Sequence, residues 1–361
     1  MRNCRSRGGL MAAALAALVV LGGIWFAVTT LFSPPPSTQH GPVPLVIRRG
    51  ESTQEIADEL VSKGLIRNAL AFRVWARVEG LDRHLQAGVY ALTPGMGMEQ
   101  IIARLQNGQP DERRLKIVEG WRLEQIAAQI RTLALPEFSV QDFLRYTHHP
   151  EQFPERAKYP LLQHASSMEG LLFPDTYLVP LNYTAAQVIE IMLNRFTQVV
   201  QEKHLTALAH QHQLTEYQMI ILASIVQREA ANDQQMPLIA GIYWKRLYQP
   251  SAEIGARLEA DPTVQYARDT DHPPASAGDY WKPLTDTGGN IDPANPWNTY
   301  NPRHSGWPPT PIASPGLRAL QAAAAPMRTD CYFFLTRPHD GSLVCAATYA
   351  HFQQLEKQYL P

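Results

Sequence analysis

The chain has 361 residues, with 32 Lys+Arg against 33 Asp+Glu and a formal net charge of −1. Near-neutrality lacks the basic excess that phosphate binding demands, so a nucleic-acid partner is not expected. An apolar content of 45% can build packed cores, while three cysteines are too few for a disulfide-dense scaffold or a four-cysteine zinc site.

Residues 9–32 carry no charge, and these 24 positions would span about 36 Å as a helix, enough for a bilayer core of about 30 Å. Arg2, Arg5 and Arg7 precede the run, and no Lys or Arg follows until Arg48. That asymmetry predicts a cytoplasmic stretch at 1–8, a single-pass anchor at 9–32 and export of the remainder. A cleaved signal peptide has a shorter apolar run and a small-x-small exit; here the exit reads Thr29-Thr30-Leu31-Phe32-Ser33. Residues 33–43 contain Pro34-Pro35-Pro36 and read as a stiff linker.

Within 44–158 one strand–turn–helix pattern recurs three times. Gly50, Gly95 and Gly120 each close a short apolar strand and are expected to supply a positive φ. Six, seven and ten positions later come Ile56, Ala57 and Leu60; Ile101, Ile102 and Leu105; and Ile126, Ala127 and Ile130. Each trio falls on one helical face. Ser52 with Glu55 has capping-box spacing. Such units resemble LysM-like modules, which bind N-acetylglucosamine-containing glycans; a ligand-free α+β spacer is the alternative.

Residues 159–361 read as a separate mixed α+β domain. Glu169 and Asp175 flank an apolar run that leads to Tyr177. Thr184 with Gln187, and Thr215 with Gln218, open helices. In the second, Glu229 shares a face with Leu222 and Ile225 on a helix that is apolar almost all round. Burial and the negative end of the helix dipole both disfavour an ionised carboxylate there, which suits a general acid. Asp261 precedes Pro262 and reads as an N-cap. A long aperiodic loop over 268–296 leads to Trp297-Asn298-Thr299-Tyr300, then a proline-rich segment with Thr310, and Ser314-Pro315 as a helix start. Aromatics beside amides and hydroxyls suit sugars; a proline-stiffened loop that packs its aromatics inward is the alternative. Two apolar strands around Asp340-Gly341 predict a hairpin. With those two as the turn, Cys345 would face Thr336, about 17 Å from Cys331 at roughly 3.4 Å per residue, which predicts free thiols. No His-Glu-x-x-His pattern occurs among the 12 histidines, and neither metal nor cofactor is expected.

The ordered stretches Glu169-Gly170-Leu171-Leu172-Phe173-Pro174-Asp175-Thr176-Tyr177, Ala223-Ser224-Ile225-Val226-Gln227-Arg228-Glu229, Asp261-Pro262-Thr263-Val264, Asn298-Thr299-Tyr300 and Pro308-Pro309-Thr310-Pro311-Ile312 resemble the MltG (YceG-like) endolytic murein transglycosylases. The resemblance implies an inner-membrane lyase whose periplasmic domain cuts nascent glycan strands between N-acetylmuramic acid and N-acetylglucosamine, leaving 1,6-anhydro ends. It maps the catalytic acid onto Glu229. It implies substrate contacts at Glu169, Asp175, Tyr177, Gln227, Asp261, Asn298, Thr299, Tyr300 and Thr310. By analogy it suggests peptidoglycan synthases as partners. Gln227 stands where many members carry a second acid, and Trp244-Lys245 departs from the family pattern. Two alternatives remain: a two-carboxylate muramidase using Glu169 or Asp175, and a non-enzymatic peptidoglycan-binding scaffold.

Overall fold

The computed structural model describes residues 33–35, 41, 43–47, 51–80, 88–107, 112–284, 294–303 and 305–360. The expected anchor at 9–32 and Gly50 lie outside them. Among the described residues no helix is long and apolar enough to cross a membrane. The chain divides into two compact units, one of residues 1–113 with 180–182, the other of 114–179 with 183–361. The first two strand–helix repeats therefore fall in the first unit. The helix of the third, and the segment up to residue 158, belong to the second.

In the first unit β1 (Val43–Ile47) pairs antiparallel with β2 (Gly88–Leu92), Leu45 opposite Tyr90. Helices α1 (Thr53–Ser62) and α2 (Ala69–Val78) lie between these strands in sequence, and α3 (Met98–Asn107) follows them. Ser52 and Glu55 close the expected capping box, and the Asn68 side chain caps α2. The repeated trios point inward: Ile56, Ala57 and Leu60, with Ile101, Ile102 and Leu105, share one core with Leu45, Ile47, Phe72 and Leu92.

Strands β3 (Glu112–Lys116) and β4 (Thr176–Pro180) pair in a two-stranded sheet, and their residues 114–116 and 176–179 belong to the second unit. The third trio is buried on α4 (Leu123–Arg131), and α5 (Val140–His148) packs against α4. Capping boxes at Thr184 and Thr215 start α6 (Ala185–Glu202) and α8 (Glu216–Glu229), with α7 (Leu205–Gln211) between them. Then come α9 (Met236–Tyr248), α10 (Asp261–Asp271) and α11 (Leu317–Ala324). Four helices, α7, α9, α10 and α11, pack around α8. That surround explains why Met219 to Val226 are buried without a break, with no polar stripe. Helix α11 starts from Gly316 rather than from a Ser314 cap.

Two glycines permit this packing. Gly170 has φ +78°, and a Cβ there would lie 2.5 Å from the Pro311 Cβ. Gly241, inside α9, lets the Met327 carbonyl approach to 2.0 Å from where a Cβ would stand.

The C-terminal hairpin joins β5 (Phe333–Thr336) to β6 (Leu343–Ala346), followed by α12 (Tyr349–Tyr359). Its register corrects the sequence expectation. The Arg337 N–H donates to the Ser342 carbonyl and Gly341 N–H to the Arg337 carbonyl, so the loop holds four residues, not two. Asp340 takes the Ser342 N–H at 2.9 Å and its hydroxyl at 2.6 Å, which stabilises the longer loop. Cys345 consequently faces Phe334 instead of Thr336. The Tyr332 N–H also reaches the Ala346 carbonyl, the residue already paired with Phe333, so the ladder loses its regular step. Cys331 then comes within 5.8 Å of Cys345, Cα to Cα, and the two form a disulfide. The expected free thiols do not exist.

Candidate active site

Helix α8 delivers its last residue, Glu229, to a polar cluster. The helix stops because Ala230 turns extended, at φ −72° and ψ 131°. Two side chains one turn apart fix what lies beside it. The Ser224 hydroxyl donates to the Ile221 carbonyl and accepts the Ile312 N–H at 3.0 Å; Gln227 Oε1 accepts the Gly316 N–H at 2.9 Å.

The start of α10 is held by threonines. The Ala260 N–H donates to Thr299 Oγ1 at 3.0 Å, Thr263 Oγ1 donates to the Ala260 carbonyl at 2.7 Å, and the two hydroxyls lie 2.8 Å apart. Asp261 is thus the first helical residue, after Ala260, and its side chain does not cap. The sequence expectation of an N-cap is corrected: the Asp261 carboxylate accepts the Tyr300 hydroxyl at 2.7 Å. Asn298 Oδ1 takes the Tyr300 N–H, and the Trp297 indole donates to Thr310 at 3.0 Å, which fixes the aromatic loop.

Glu229 is partly buried, and its Oε2 is sheltered with no hydrogen-bond partner. Burial first, then the like charge of Asp261, push its pKa up to about 7; the Tyr243 hydroxyl and the Arg246 guanidinium pull the other way. Burial also raises the phenols of Tyr243 and Tyr300, with Glu229 adding to the first and Asp261 to the second. Arg246 itself is buried. Its Nε donates to the Tyr332 carbonyl at 2.7 Å and its Nη1 to the carbonyls of Leu258 and Glu259. One arginine thereby ties α9 to the hairpin and to the segment entering Asp261.

Of the residues singled out from sequence, Glu229, Asp261 and Tyr300 are brought together, with Thr299 and Asn298 shaping the backbone beneath. The others have partners within the protein. Glu169 is fully buried, takes the Leu123 N–H at 3.4 Å and the Tyr266 hydroxyl at 3.5 Å, and burial lifts its pKa well above the carboxylate range. Asp175 pairs with Arg195 at 2.7 Å. The Tyr177 hydroxyl donates to the Phe173 carbonyl at 2.6 Å. Sequence reasoning missed Tyr243 and Arg246. The available signal was a phenol and a guanidinium three positions apart, hence on one face of an apolar helix. Among the described residues no three His, Cys, Asp or Glu side chains gather as a metal would need.

Comparison with known proteins agrees along nearly the whole length. An endolytic murein transglycosylase of Bacillus subtilis (strain 168) is 26% identical over 360 residues, 95% of this chain and 91% of that protein. The protein of that name from Streptococcus pneumoniae serotype 2 is 28% identical over 320 residues, 83% of this chain and 55% of the longer relative. A crystal structure of a yceG-like protein from Listeria monocytogenes superposes with a TM-score of 0.55 at 26% identity, covering 88% of this chain and all of that one. The model of the YceG-like family matches residues 45–358. The chain belongs to the YceG-like family.

Proposed function

We propose that the chain is an endolytic lytic transglycosylase of peptidoglycan with Glu229 as its single acid/base. The observation that carries the reading is a carboxyl group at the end of a buried helix, with a pKa of about 7. Such a group holds and releases a proton near neutrality. Protonated Glu229 gives its proton to the bridging oxygen as the muramic C1–O bond breaks. The carboxylate left behind takes the proton of the muramic 6-hydroxyl as O6 bonds to C1. Atoms balance without water, and the product is a 1,6-anhydro end. Asp261, held by Tyr300, stands beside the cationic sugar of the transition state.

The same proposal includes an inner-membrane anchor at 9–32 with the rest periplasmic, which the Cys331–Cys345 disulfide supports, since such bonds persist in oxidising compartments. It includes a LysM-like glycan contact by the small unit, two of whose helices lie in sequence between two paired strands. Synthase partners and a role in ending polymerisation belong to it too.

A second reading, hydrolysis, draws on Asp261 as a second carboxylate beside Glu229. Glu169 and Asp175 give it no support, because each is held by the protein. The test is mass analysis of uncrosslinked strands digested by the full chain and by Glu229→Gln. Anhydro ends from the parent and none from the variant are expected, with strand binding retained. Reducing ends would select hydrolysis, and an active variant would remove Glu229 from its role.

A further inference from the structure

Arg228, next to Glu229 in the chain, is a cation without a counter-charge. Among the described residues no carboxylate forms an ion pair with it, although most other partly buried arginines here have an acid or carbonyl partner. Its Nε is sheltered and lacks any hydrogen-bond partner. Its guanidinium lies over the Trp281 ring, 4.3 Å from the centroid. Gly120 also lines this side chain: a Cβ there would come 3.1 Å from Arg228 Nη1 and 3.2 Å from its Cδ. The side chain is thus packed along its length and at its ring contact, while no hydrogen bond among the described residues uses its fork. Burial pushes the Arg228 pKa down, the mark of a charge partly stripped of water and not repaid by an anion.

Protein interiors rarely keep such a group without use, and arginine stacked on an aromatic face is suited to planar carboxylates. We infer that Arg228 and Trp281 form a carboxylate-binding site at the last turn of α8, the turn that ends in Glu229, which takes an acidic group carried by the glycan substrate. The inference rests on the transglycosylase reading for the substrate's identity. Peptidoglycan offers two sources of one chemistry. Stem peptides carry free carboxylates, and the muramic lactyl group carries one when the stem has been removed.

The test measures binding by the full chain, using Glu229→Gln as the non-cleaving parent and adding Arg228→Gln or Arg228→Lys. Four probes are used: strands with stem peptides, denuded strands, and each of these with its carboxylates converted to amides. Arg228→Gln is expected to weaken binding of a carboxylate-bearing strand by roughly 10- to 100-fold, the size of a charge-assisted hydrogen bond. It should leave the amidated counterpart unchanged, with Arg228→Lys between the two. The strand type that shows the loss identifies the source. Equal loss on free and amidated strands, or no loss on either, would overturn the site, and a parent that binds no strand would do so as well. Cleavage by proteins retaining Glu229 is read separately. A protein that makes no anhydro ends while keeping carboxylate-selective binding removes the transglycosylase reading and spares the site.

Discussion

Glu229 is a group whose proton affinity is set by its neighbours, and each neighbour predicts a measurable displacement. The acid step needs the protonated form, so kcat/KM is expected to fall as pH rises through about 7. Asp261 contributes an upward push, so Asp261→Asn should move that falling limb to lower pH. Tyr243 contributes a downward pull, and Tyr243→Phe should move the limb up. A limb that stays in place in both variants would mean that another group titrates. Stability follows the same linkage. The folded pKa lies above the unfolded value of 4.5, so the native state binds more protons between about pH 4.5 and 7, and stability is lost as pH rises across that window. Glu229→Gln should therefore stabilise the protein at pH 8, by on the order of 1–3 kcal/mol, and hardly at all at pH 4. Denaturant titrations at the two values check this. The burial and raised proton affinity of Glu229 were legible from sequence because a carboxylate closing a continuous apolar helical run is chemically conspicuous. Asp261 was found but misassigned, since capping is a backbone question and its partner Tyr300 is 39 residues away.

At the scale of elements, side-chain spacing carried most of the information. Four helix starts with the Ser/Thr-x-x-polar signature or an equivalent Asn cap form as their local chemistry dictates. The inward trios of the strand–helix repeats likewise need only helical periodicity. What no local rule supplies is close approach between elements. Helix propensity alone would favour Gly241→Ala by about 1 kcal/mol. The Met327 carbonyl stands where the methyl would go, 2.0 Å away, so steric cost decides the sign. We expect a net loss of about 2 kcal/mol or more, read as a lowered denaturation midpoint. Ser224→Ala should act through a different route. It leaves the buried Ile312 N–H without its acceptor, at a cost of roughly 1–3 kcal/mol. Because Ile312 belongs to the segment after Thr310, activity should fall along with stability.

Across the whole molecule, the disulfide is the feature that sequence reasoning reversed. Free thiols follow only from a rigid ladder with a two-residue turn. The backbone N–H and the hydroxyl of Ser342 both donate to the Asp340 carboxylate and favour a four-residue loop instead, and the resulting register brings Cys345 toward Cys331. A bridge across 14 residues stabilises by about 3 kcal/mol through the entropy of the unfolded chain. The doubly substituted Cys331→Ser, Cys345→Ser protein should unfold at lower temperature by that measure. A thiol count on the denatured, unreduced parent should find neither of these cysteines reactive. The division into two units was only partly readable, because the third repeat looks like its two predecessors in sequence while its helix packs in the second unit.

Synthesis order gives the Arg246 contact a further meaning. The carbonyl that Arg246 Nε holds belongs to Tyr332, 86 residues later in the chain. A nascent chain halted before that residue already contains Glu229, Asp261, Tyr243 and Tyr300. It holds the Leu258 and Glu259 carbonyls that Arg246 Nη1 bonds, and still lacks the third acceptor, the one that takes Nε. The last carbonyl around this guanidinium is therefore in place only after residue 332 has been made and folded back onto α9.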